Sequence, residues 1–553
     1  MVDGSGRLTE TEEEAAKALN TYYHSVFTSD NQAPTPHFPA LTQEKLEDIV
    51  VTEEAVGELL TGLNPNKAAG PDEVESRLLK ECASELAPIL CKIFRKSMDE
   101  GEVPSKWKEA HVIPIHKKGN KAVMANFRPV ALTSMISKVF EKIICATILS
   151  YLTRNCLITP QQHGFVRGRS CQTNILLCLE RWTEMLDDGR GVDVAYFDYS
   201  KAFDKVSHRP LLVKLKAYGI DGRLLVWLEA YLRDQKQRVV VGNAKSSWLE
   251  VISGTTQGTV LGFLLFLIFI NDLPKKCSLE DESLVQLLAD DTKTFQEISA
   301  NASQHASNQQ ELQCRIDKIS QWARDWQMEI NPSKSKVMHM GQDNPGLPYS
   351  IDGQPIEAVT TEKDIGFWIS DDLSPSTHVN KARSRALGEI CRIRRNFTYV
   401  DKRAFCVLYN QRVRPHLDHS PPRTSAEAKM LEAVQSKATA LVQGLKHLNS
   451  DERRRRLGLM KLEERRERGD LIEVFKILKG HTKIDPALLW DVRDARNRIW
   501  LVKELAPSGR RQRQTFFSYR VIQKWNLLPI GLKTAPSLET FKNRLDEMIL
   551  ARE

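Results

Sequence analysis

The chain has 553 residues, 41% hydrophobic and 27% charged, an ordinary balance for a globular protein of two to four domains. Its ten cysteines form no CxxC pair, which argues against a zinc finger or a secreted disulfide framework and favours reduced thiols in an intracellular protein. Residues 1–60 hold 3 Lys/Arg against 12 Asp/Glu, whereas residues 401–553 hold 32 against 19. The basic C-terminal part is therefore predicted either to face a polyanion or to be a solvated helical surface.

The first predicted element is an amphipathic helix over residues 8–27, and a Pro/Asn/Ser-rich stretch at about 29–39 is typical of a linker. Helical periodicity dominates from about 42 to 105. Between about 108 and 375, β-type runs such as HVIPIH, VDVAYFDY and KVMHMG alternate with helical stretches, which predicts an α+β core with antiparallel strands. From about 378 onward the chain is again mostly helical and rich in Arg.

The longest apolar run, Val260 to Ile270, has about eleven residues, whereas roughly twenty are needed to cross a bilayer. It is therefore predicted to be a buried core segment. The acidic, polar N-terminus lacks the pattern of a secretory signal. Together these features predict a protein that does not enter a membrane.

Two acidic clusters stand out in the mixed region. In VDVAYFDYSKAFDKV, a β-prone run delivers Asp198 at its end. In LVQLLADDTKTFQ, apolar residues flank Asp290 and Asp291, the pattern of a hairpin with an acidic pair at its tip. Taken singly, an Asp-Asp pair is usually a solvent-exposed turn and Asp198 could be a helix N-cap.

Nucleotidyl transfer is the chemistry that needs these carboxylates together. Two Mg²⁺ ions about 4 Å apart activate a 3′-hydroxyl and stabilise the leaving pyrophosphate, and such hard cations prefer oxygen ligands. The separation of 92 positions between Asp198 and Asp290 does not by itself show that they lie on adjacent strands.

The order of motifs resembles the reverse transcriptase of non-LTR retrotransposons, especially the jockey and chicken-repeat group. ANFRPVALTSMISKVFEKII resembles that family's fingers segments, and QHGFVRGRSCQTN resembles its template-contacting segment. FDYSKAFDKVSH, GTTQGTVLGFLLFLIFINDLP and LLADDTK resemble its motifs A, B and C, and FFSYRVIQKWNLLP resembles part of its C-terminal region.

The resemblance implies an RNA-directed DNA polymerase with a right-hand fold of fingers, palm and thumb, followed by a mostly α-helical C-terminal region. It divides the chain into an N-terminal helix and linker (1–45), fingers and palm (46–375), and a basic, helical thumb and C-terminal region (376–553). By the same resemblance, Asp198, Asp290 and Asp291 are the catalytic residues and the ligands of two Mg²⁺ ions, with Mn²⁺ as an alternative.

The positions that match nucleotide-binding residues of the family are Lys117, Lys118, Arg128, Phe203, Gln257, Gly258 and Lys336. Arg128 would bind the triphosphate. Either Lys117 or Lys118 would assist it, and the sequence does not decide between the two. Phe203 matches a steric gate against the ribose 2′-hydroxyl, although a core aromatic is the alternative. Lys336 is a candidate for the motif D lysine or an exposed surface lysine.

Gly164, Arg167 and Arg169 match the segment expected to track the template backbone, a contact that positions a strand without reading its sequence. The implied partners are an RNA template, a DNA primer or target and dNTPs, in the nucleus and cytoplasm as a ribonucleoprotein. The Arg runs at 453–456 and 465–468 fit either a nucleic-acid-facing thumb or a helix with i,i+4 salt bridges.

Three positions depart from the family's pattern. Thr256 and Phe263 replace two prolines of motif B, and Leu288 replaces an aromatic residue of motif C. Each lost proline frees backbone, and Phe263 adds bulk to a helix expected to be close-packed. Because the carboxylates are kept, an active polymerase is predicted, with a decayed relic that only binds nucleic acid or partners as the alternative. A maturase-like RNA-binding protein is disfavoured by the retrotransposon-type C-terminal region.

Overall fold

Two five-stranded sheets, three two-stranded sheets and a series of helices form an α+β fold in the computed structural model, which describes residues 1–2, 6–29, 35–278, 281–418, 422–495, 498–503 and 515–550. Part of the predicted linker, residues 30–34, lies outside the described residues.

The strands are, in chain order, β1 (Glu109–His116), β2 (Phe127–Leu132), β3 (Gly191–Phe197), β4 (Gln235–Val241), β5 (Ala244–Lys245), β6 (Leu249–Val251), β7 (Val285–Leu288), β8 (Asp291–Ile298), β9 (Lys336–Met340), β10 (Ser350–Ile351), β11 (Gln354–Pro355), β12 (Glu357–Ala358), β13 (Thr361–Asp364), β14 (Phe367–Ser370), β15 (Asp491–Ala495) and β16 (Arg498–Val502).

The α-helices are α1 (Glu12–Ser25), α2 (Glu53–Thr61), α3 (Ser76–Glu81), α4 (Ala83–Glu100), α5 (Met135–Arg154), α6 (Cys171–Asp187), α7 (Ala202–Lys205), α8 (His208–Ala217), α9 (Gly222–Leu232), α10 (Leu261–Ile270), α11 (Leu273–Cys277), α12 (His305–Asp325), α13 (Ser376–Asn396), α14 (Lys402–Leu408), α15 (Arg414–Asp418), α16 (Ser425–Thr439), α17 (Ser450–Leu457), α18 (Leu462–Leu478), α19 (Phe517–Asn526), α20 (Ile530–Lys533) and α21 (Leu538–Leu550). A π-helical turn, Tyr409–Val413, joins α14 to α15.

The central sheet has the strand order β12-β9-β3-β8-β7, with β3 antiparallel to both β8 and β9. Because side chains alternate along a strand, Val192 and Val194 of β3 pack with Trp182 of α6, whereas Ala195 and Phe197 join the core that contains α10. Helices therefore cover both faces of this sheet, and polar side chains collect where its strands end.

The apolar run predicted to be a core segment is α10, and nine of its ten residues are buried, as expected. The remaining one, Phe263, is only half-buried. Within the described ranges, no helix combines the length and the hydropathy that a membrane crossing requires.

The second sheet follows the path β2-β1-β4-β5, with β6 beside β4. Helix α1 packs on one face of it, where Ala16 and Leu19 meet Val112 and Val239. The expectation of antiparallel strands is confirmed for β1 with β2, but β1 runs parallel to β4, as β9 does to β12. Parallel neighbours need a long crossover connection, and the whole segment from β2 to α9 separates β1 from β4.

Two further hydrophobic cores lie beyond the sheets. The first belongs to a helical bundle of residues 376–462, hereafter the bundle, built around side chains such as Val379, Phe405 and Leu431. The second belongs to residues 471–550, hereafter the C-terminal module, and includes Trp525 and Phe541. The module also contains the antiparallel pair β15 and β16, which the mostly helical expectation missed.

Helix α18 links the two cores, because Leu462 at its start is buried in the bundle whereas Leu471, Val474 and Phe475 are buried in the C-terminal module. The module core also takes up Leu176 of α6 and so rests on the central part of the protein. The domain boundaries expected from the sequence stay a prediction.

Candidate active site

Asp198 directly follows β3, where the strand leaves the sheet. Its backbone is fixed on both sides, since its N–H donates to Ser335 Oγ over 3.3 Å and its carbonyl accepts from the N–H of Asn331 over 2.8 Å. The carboxylate remains accessible, with 47% of the side chain exposed. The β-prone run before Asp198 thus delivers the side chain to the end of the central sheet, as the sequence predicts.

Asp290 and Asp291 lie at the tip of the β7–β8 hairpin, as the sequence predicts. Leu288 pairs with Asp291, so Ala289 and Asp290 form a two-residue turn. Because β8 pairs with β3 and Thr292 lies opposite Phe197, the hairpin tip lies beside the end of β3. The three aspartates therefore come from adjacent strands, which the sequence separation alone could not establish.

A buried glutamine supports the hairpin turn. The side-chain oxygen Oε1 of Gln162 accepts from the N–H of Ala289 over 3.0 Å and from the N–H of Gly164 over 2.7 Å. A Cβ at Gly164 would lie 2.5 Å from the nitrogen of Ala289, so only glycine allows this approach. Sequence reasoning missed Gln162. The only hint in the sequence is that Gln162 lies two positions before Gly164, which has a predicted role.

Burial and neighbouring negative charge raise the pKa values of Asp290 and Asp291. Burial raises the pKa of Asp290 and nearby Asp198 adds to the rise, while Arg128 and Lys117 oppose it. Burial and the charge of Asp290 raise the pKa of Asp291 to about 6. A cation placed among these groups would relieve the repulsion, since an opposite charge favours the ionised form.

Within the described ranges, no cluster of three or more His, Cys, Asp or Glu side chains is arranged so that it could hold a metal ion by itself. One ammonium group lies near Asp198, because Lys334 Nζ is 3.6 Å from Asp198 Oδ2. The roles expected for the three aspartates as metal ligands stay predictions.

The structure distinguishes between neighbouring lysines. Asp290 acts electrostatically on Lys117, whose pKa is lowered by burial and by Arg128, and this places Lys117 on the side of the carboxylates. Lys336 Nζ contacts Glu357 over 2.5 Å, whereas Lys334, which sequence reasoning passed over, is the lysine beside Asp198. Lys334 and Lys336 line the same cleft beside Asp198 and Asp291, which the tip of the β13–β14 hairpin borders on its other side.

Gln257 and Gly258 lie against the second sheet. The carbonyl of Gln257 accepts from the N–H of Ala131 over 2.8 Å. Gly258 has a φ of 116°, and a Cβ there would lie 2.3 Å from the carbonyl oxygen of Ala131. Gly258 therefore lies close to the backbone of strand β2, which also carries the exposed Arg128. Nucleotide binding by Gln257 and Gly258 stays a prediction.

A buried carboxylate fixes the helix that follows this loop. Glu141 of α5 is 1% exposed and accepts from the N–H groups of Val260 and Leu261 over 2.8 and 3.1 Å, at the start of α10. Thr256, where the family has proline, donates from its hydroxyl to Gln235 Oε1 over 3.1 Å. The backbone freed by the loss of proline is thus held by other contacts.

Phe203 and Phe263 belong to one aromatic cluster. The Phe203 ring stacks on Phe266 with centroids 4.2 Å apart and meets Phe263 edge-on at 5.8 Å. Phe263 also contacts Phe165, at 4.5 Å between centroids. The ring of Phe263 therefore fits into this aromatic cluster. Phe203 packs as a core aromatic would, and its role as a steric gate stays a prediction.

The expected template-binding residues differ in their surroundings. Gly164 is buried against the hairpin turn, and Arg167 is exposed. Arg169 Nη1 donates to the carbonyls of Thr159 and Gln162 over 2.7 and 2.9 Å, so this guanidinium holds its own loop together. Contact with a template stays a prediction for all three.

Several arginines of the C-terminal runs make internal contacts. Arg453 and Arg454 donate to the carbonyls of Leu448 and Leu459. Arg465 pairs with Asp418, and Arg468 pairs with Asp546. These contacts reach carbonyls five positions away and carboxylates 47 and 78 positions away, so they are not the i,i+4 salt bridges that the sequence suggested. A nucleic-acid-facing role of the Arg runs stays a prediction.

Residues 115–384 match the family model described as "Reverse transcriptase (RNA-dependent DNA polymerase)". The chain is 25% identical over 402 residues to the RNA-directed DNA polymerase from mobile element jockey of Drosophila melanogaster, covering 70% of this chain and 43% of that protein. It is 26% identical over 403 residues to the probable RNA-directed DNA polymerase from transposon X-element of the same organism, again covering 70% and 43%. The chain thus spans less than half the length of these curated relatives.

Proposed function

Because residues 115–384 match the reverse transcriptase family model, we propose that the chain is the polymerase part of a non-LTR retrotransposon protein, which extends a DNA 3′-hydroxyl on an RNA template. One observation carries the proposal: Asp198 and the pair Asp290 and Asp291 come from hydrogen-bonded neighbouring strands and meet at one sheet end. If Asp290 and Asp291 were only an exposed turn and Asp198 only a helix cap, the three carboxylates would have no reason to lie together.

The proposal includes a right-hand layout. The central sheet is the palm, the second sheet with α5 forms the fingers, and the bundle is the thumb. In support, the loop with Gln257 and Gly258 connects the proposed fingers and palm through its contact with Ala131. Arg128 and Lys117, on and next to strands of the second sheet, act electrostatically on Asp290, which suits residues that would grip a triphosphate.

The proposed cofactor is a pair of Mg²⁺ ions, with Mn²⁺ as an alternative. The three aspartates offer only oxygen ligands, and the raised pKa values of Asp290 and Asp291 mark a site that favours added positive charge. Mg²⁺ usually keeps several waters and takes one or two carboxylates together with substrate phosphates, so no closed protein cage is needed. When bound, the ions would lower the pKa of the primer hydroxyl and neutralise the leaving pyrophosphate.

An enzyme that copies RNA works where its template is present, so the proposal places the chain in the nucleus and cytoplasm, as a ribonucleoprotein. The proposed partners are the RNA template, a DNA primer or target and dNTPs.

Primer extension on a homopolymer RNA template tests the activity. The wild type should give Mg²⁺-dependent DNA product, and Asp290→Ala should abolish it. Asp343→Asn, at an exposed aspartate in the loop after β9, is the matched control and should extend normally. A folded wild type that binds RNA but yields no product with either Mg²⁺ or Mn²⁺ would instead identify the chain as a decayed relic.

The gate proposal has its own test. Phe203→Val should raise the ratio of ribonucleotide to deoxynucleotide incorporation, because the smaller side chain leaves room for the 2′-hydroxyl. The loss of packing on Phe266 should cost about 1–2 kcal/mol of stability, so the ratio of kcat/KM values is the decisive measurement. An unchanged ratio in a folded, active variant would reduce Phe203 to a packing residue.

A further inference from the structure

One loop of the C-terminal module lies against residues 164–169, the segment that contacts the turn of the β7–β8 hairpin through Gly164. This loop, residues 479–485, follows α18 and is hereafter the module loop. The N–H of Lys483 donates to the carbonyl of Gly168 over 2.8 Å, and a Cβ at Gly168 would lie 2.7 Å from Lys483 Cγ. Backbone and side chain of the module loop therefore both contact the segment expected to follow the template.

The module loop is close to the catalytic turn. Gly164 contacts Ala289 beside Asp290, and Gly168 contacts Lys483. Four residues of extended chain span at most about 14 Å. A stacked strand advances about 3.4 Å per nucleotide, so this reach corresponds to about four nucleotides.

The module loop presents positive charge without internal partners. Lys479, His481 and Lys483 are all exposed, and in the described part of the chain neither lysine forms an ion pair. The one carboxylate of the loop, Asp485, accepts from the N–H of Ala487 over 3.0 Å, and the two lysines outweigh its single negative charge. Arg167, one residue before the contact at Gly168, is exposed as well.

Other cations of α18 and the module contrast with these. Lys476 pairs with Glu473 over 2.7 Å, and Arg520 pairs with Asp470 over 2.7 Å. Since neighbouring positive charges are neutralised internally, the open charge of the module loop is not explained by a generally unpaired basic surface.

The backbone of the module loop is held firmly. The N–H of His481 donates to the carbonyl of Lys476 over 2.8 Å, Thr482 Oγ1 donates to Glu473 over 2.8 Å, and Ile484 is 5% exposed. A loop fixed in this way presents its lysines without a large ordering cost when an anion binds.

An exposed aromatic residue lies between the two contacts. Phe165 is 48% exposed, has a φ of 56°, and leans on Phe263 with centroids 4.5 Å apart. A phenylalanine in this backbone region is strained, and such residues concentrate at ligand-binding sites. Aromatic rings beside a basic track are the combination that binds single-stranded nucleic acid, through base stacking and phosphate contacts.

We propose that the module loop, with Lys479 and Lys483, extends the template path beyond the reverse transcriptase domain and holds the single-stranded template as it approaches the active site. Arg167 continues the same basic track and Phe165 offers a stacking surface. This inference rests on the proposed polymerase function and assigns a role to residues outside the matched range of 115–384.

The test removes the two lysine charges in the full chain by Lys479→Gln with Lys483→Gln. Glutamine keeps the methylene groups of Lys483 that lie over Gly168. The matched control is Lys92→Gln with Lys96→Gln, which removes two exposed charges from α4. Binding is measured by fluorescence anisotropy against salt, with RNA–DNA primer–templates whose template overhangs are one, four and ten nucleotides long.

We expect the module-loop variant to bind the four- and ten-nucleotide overhangs roughly fivefold to tenfold more weakly, with the slope of log K against log salt reduced by about 1.4. It should bind the one-nucleotide overhang normally, and the control variant should bind all three like the wild type. Equal loss on all overhangs, or none, would overturn the inference, as would a lower melting temperature with unchanged affinity, which is the mark of lysines that serve only the C-terminus of α18.

Primer extension on the same substrates separates this inference from the proposed function. A wild type that extends primers, together with unchanged template affinity of the variant, contradicts the template path alone. A wild type that extends no primer contradicts the polymerase function, whatever the variant binds.

Discussion

Ala289 has a φ of 57°, a conformation that costs an alanine roughly 1–2 kcal/mol, and Gln162 supplies the hydrogen bond that holds the turn in place. Gln162→Leu keeps the side-chain volume but removes the acceptor. We expect kcat to fall at least about tenfold, because displacement of Asp290 by even 1 Å spoils the reacting geometry. The free energy of unfolding should fall by about 1–3 kcal/mol, since two buried N–H groups lose their partner.

Single-turnover primer extension and denaturant unfolding measure the two effects. Gln161→Leu is the control, because the Gln161 side chain contacts Thr159 and not the turn. An active, normally stable Gln162→Leu variant would show that the turn holds without its acceptor.

Burial of Asp291, together with repulsion from Asp290, predicts a pH-dependent loss of stability in the metal-free protein. The pKa of Asp291 is raised to about 6 in the fold, so the native state holds a proton that the unfolded state releases near pH 4. Stability should therefore fall as pH rises from about 4 to about 6, and the full cost remains above that range. Asp291→Asn should abolish this loss of stability, because asparagine does not ionise.

Thermal unfolding in EDTA between pH 4.5 and 8 checks this prediction. Above pH 6.5 the Asp291→Asn variant should be more stable than the wild type by about 1 kcal/mol. The value is kept small because part of the Asp291 side chain still contacts solvent, which screens its charge. Near pH 4 the two proteins should unfold alike. A constant difference at every pH would mean that the substitution acts through packing.

At the scale of elements, a buried ion pair links the β7–β8 hairpin to the neighbouring β13–β14 hairpin. Lys293 of β8 pairs with Asp364 at the end of β13, and both side chains are at most 6% exposed. Burial alone would lower the pKa of Lys293, but Asp364 raises it above the ordinary value. The pair thus links the strand that begins with Asp291 to the β13–β14 hairpin.

Asp364→Asn leaves a buried ammonium group without a counter-charge, so we expect a loss of about 3–5 kcal/mol in the free energy of unfolding. The double variant Lys293→Met with Asp364→Leu should recover most of that loss, because it leaves no buried charge. Urea unfolding compares both with Glu362→Gln, a control on the same hairpin. No recovery in the double variant would show that the hairpin depends on the ion pair itself.

Local sequence patterns were enough to predict the elements whose own residues are characteristic of a strand, a hairpin or a buried helix. The β-prone run before Asp198 forms β3, the acidic pair between apolar runs forms the tip of the β7–β8 hairpin, and the apolar run predicted to be a core segment forms the buried helix α10. Contacts between segments far apart in the chain could not be predicted from local patterns. Glu141 caps α10 from 119 positions away, Gln162 holds a turn 127 positions away, and Lys334 rather than Lys336 lies beside Asp198.

At the scale of the whole molecule, the C-terminal module depends on the central part of the protein for part of its core. Leu176 of α6 is buried among module residues rather than against the central sheet. Leu176→Ala should therefore cost about 2–4 kcal/mol and should loosen the module although the change lies outside it. Leu179→Ala, on the same helix but packed against the central sheet, is the control.

Hydrogen exchange followed by mass spectrometry distinguishes the two variants. Leu176→Ala should speed exchange in α19, whereas Leu179→Ala should affect β3 and leave α19 protected. Unchanged exchange in α19 of a destabilised Leu176→Ala variant would mean that the module holds its fold independently.

Helix α18 has one end in the bundle core and the other in the module core, and its 17 residues make it about 25 Å long. A rod of that length acts as a lever. A tilt of about 10° at the bundle end moves the module end by about 4 Å, close to the 3.4 Å advance of a nucleic acid strand per nucleotide. The helix therefore has the proportions to convert a small rotation of the proposed thumb into a one-nucleotide step of whatever strand the module loop holds.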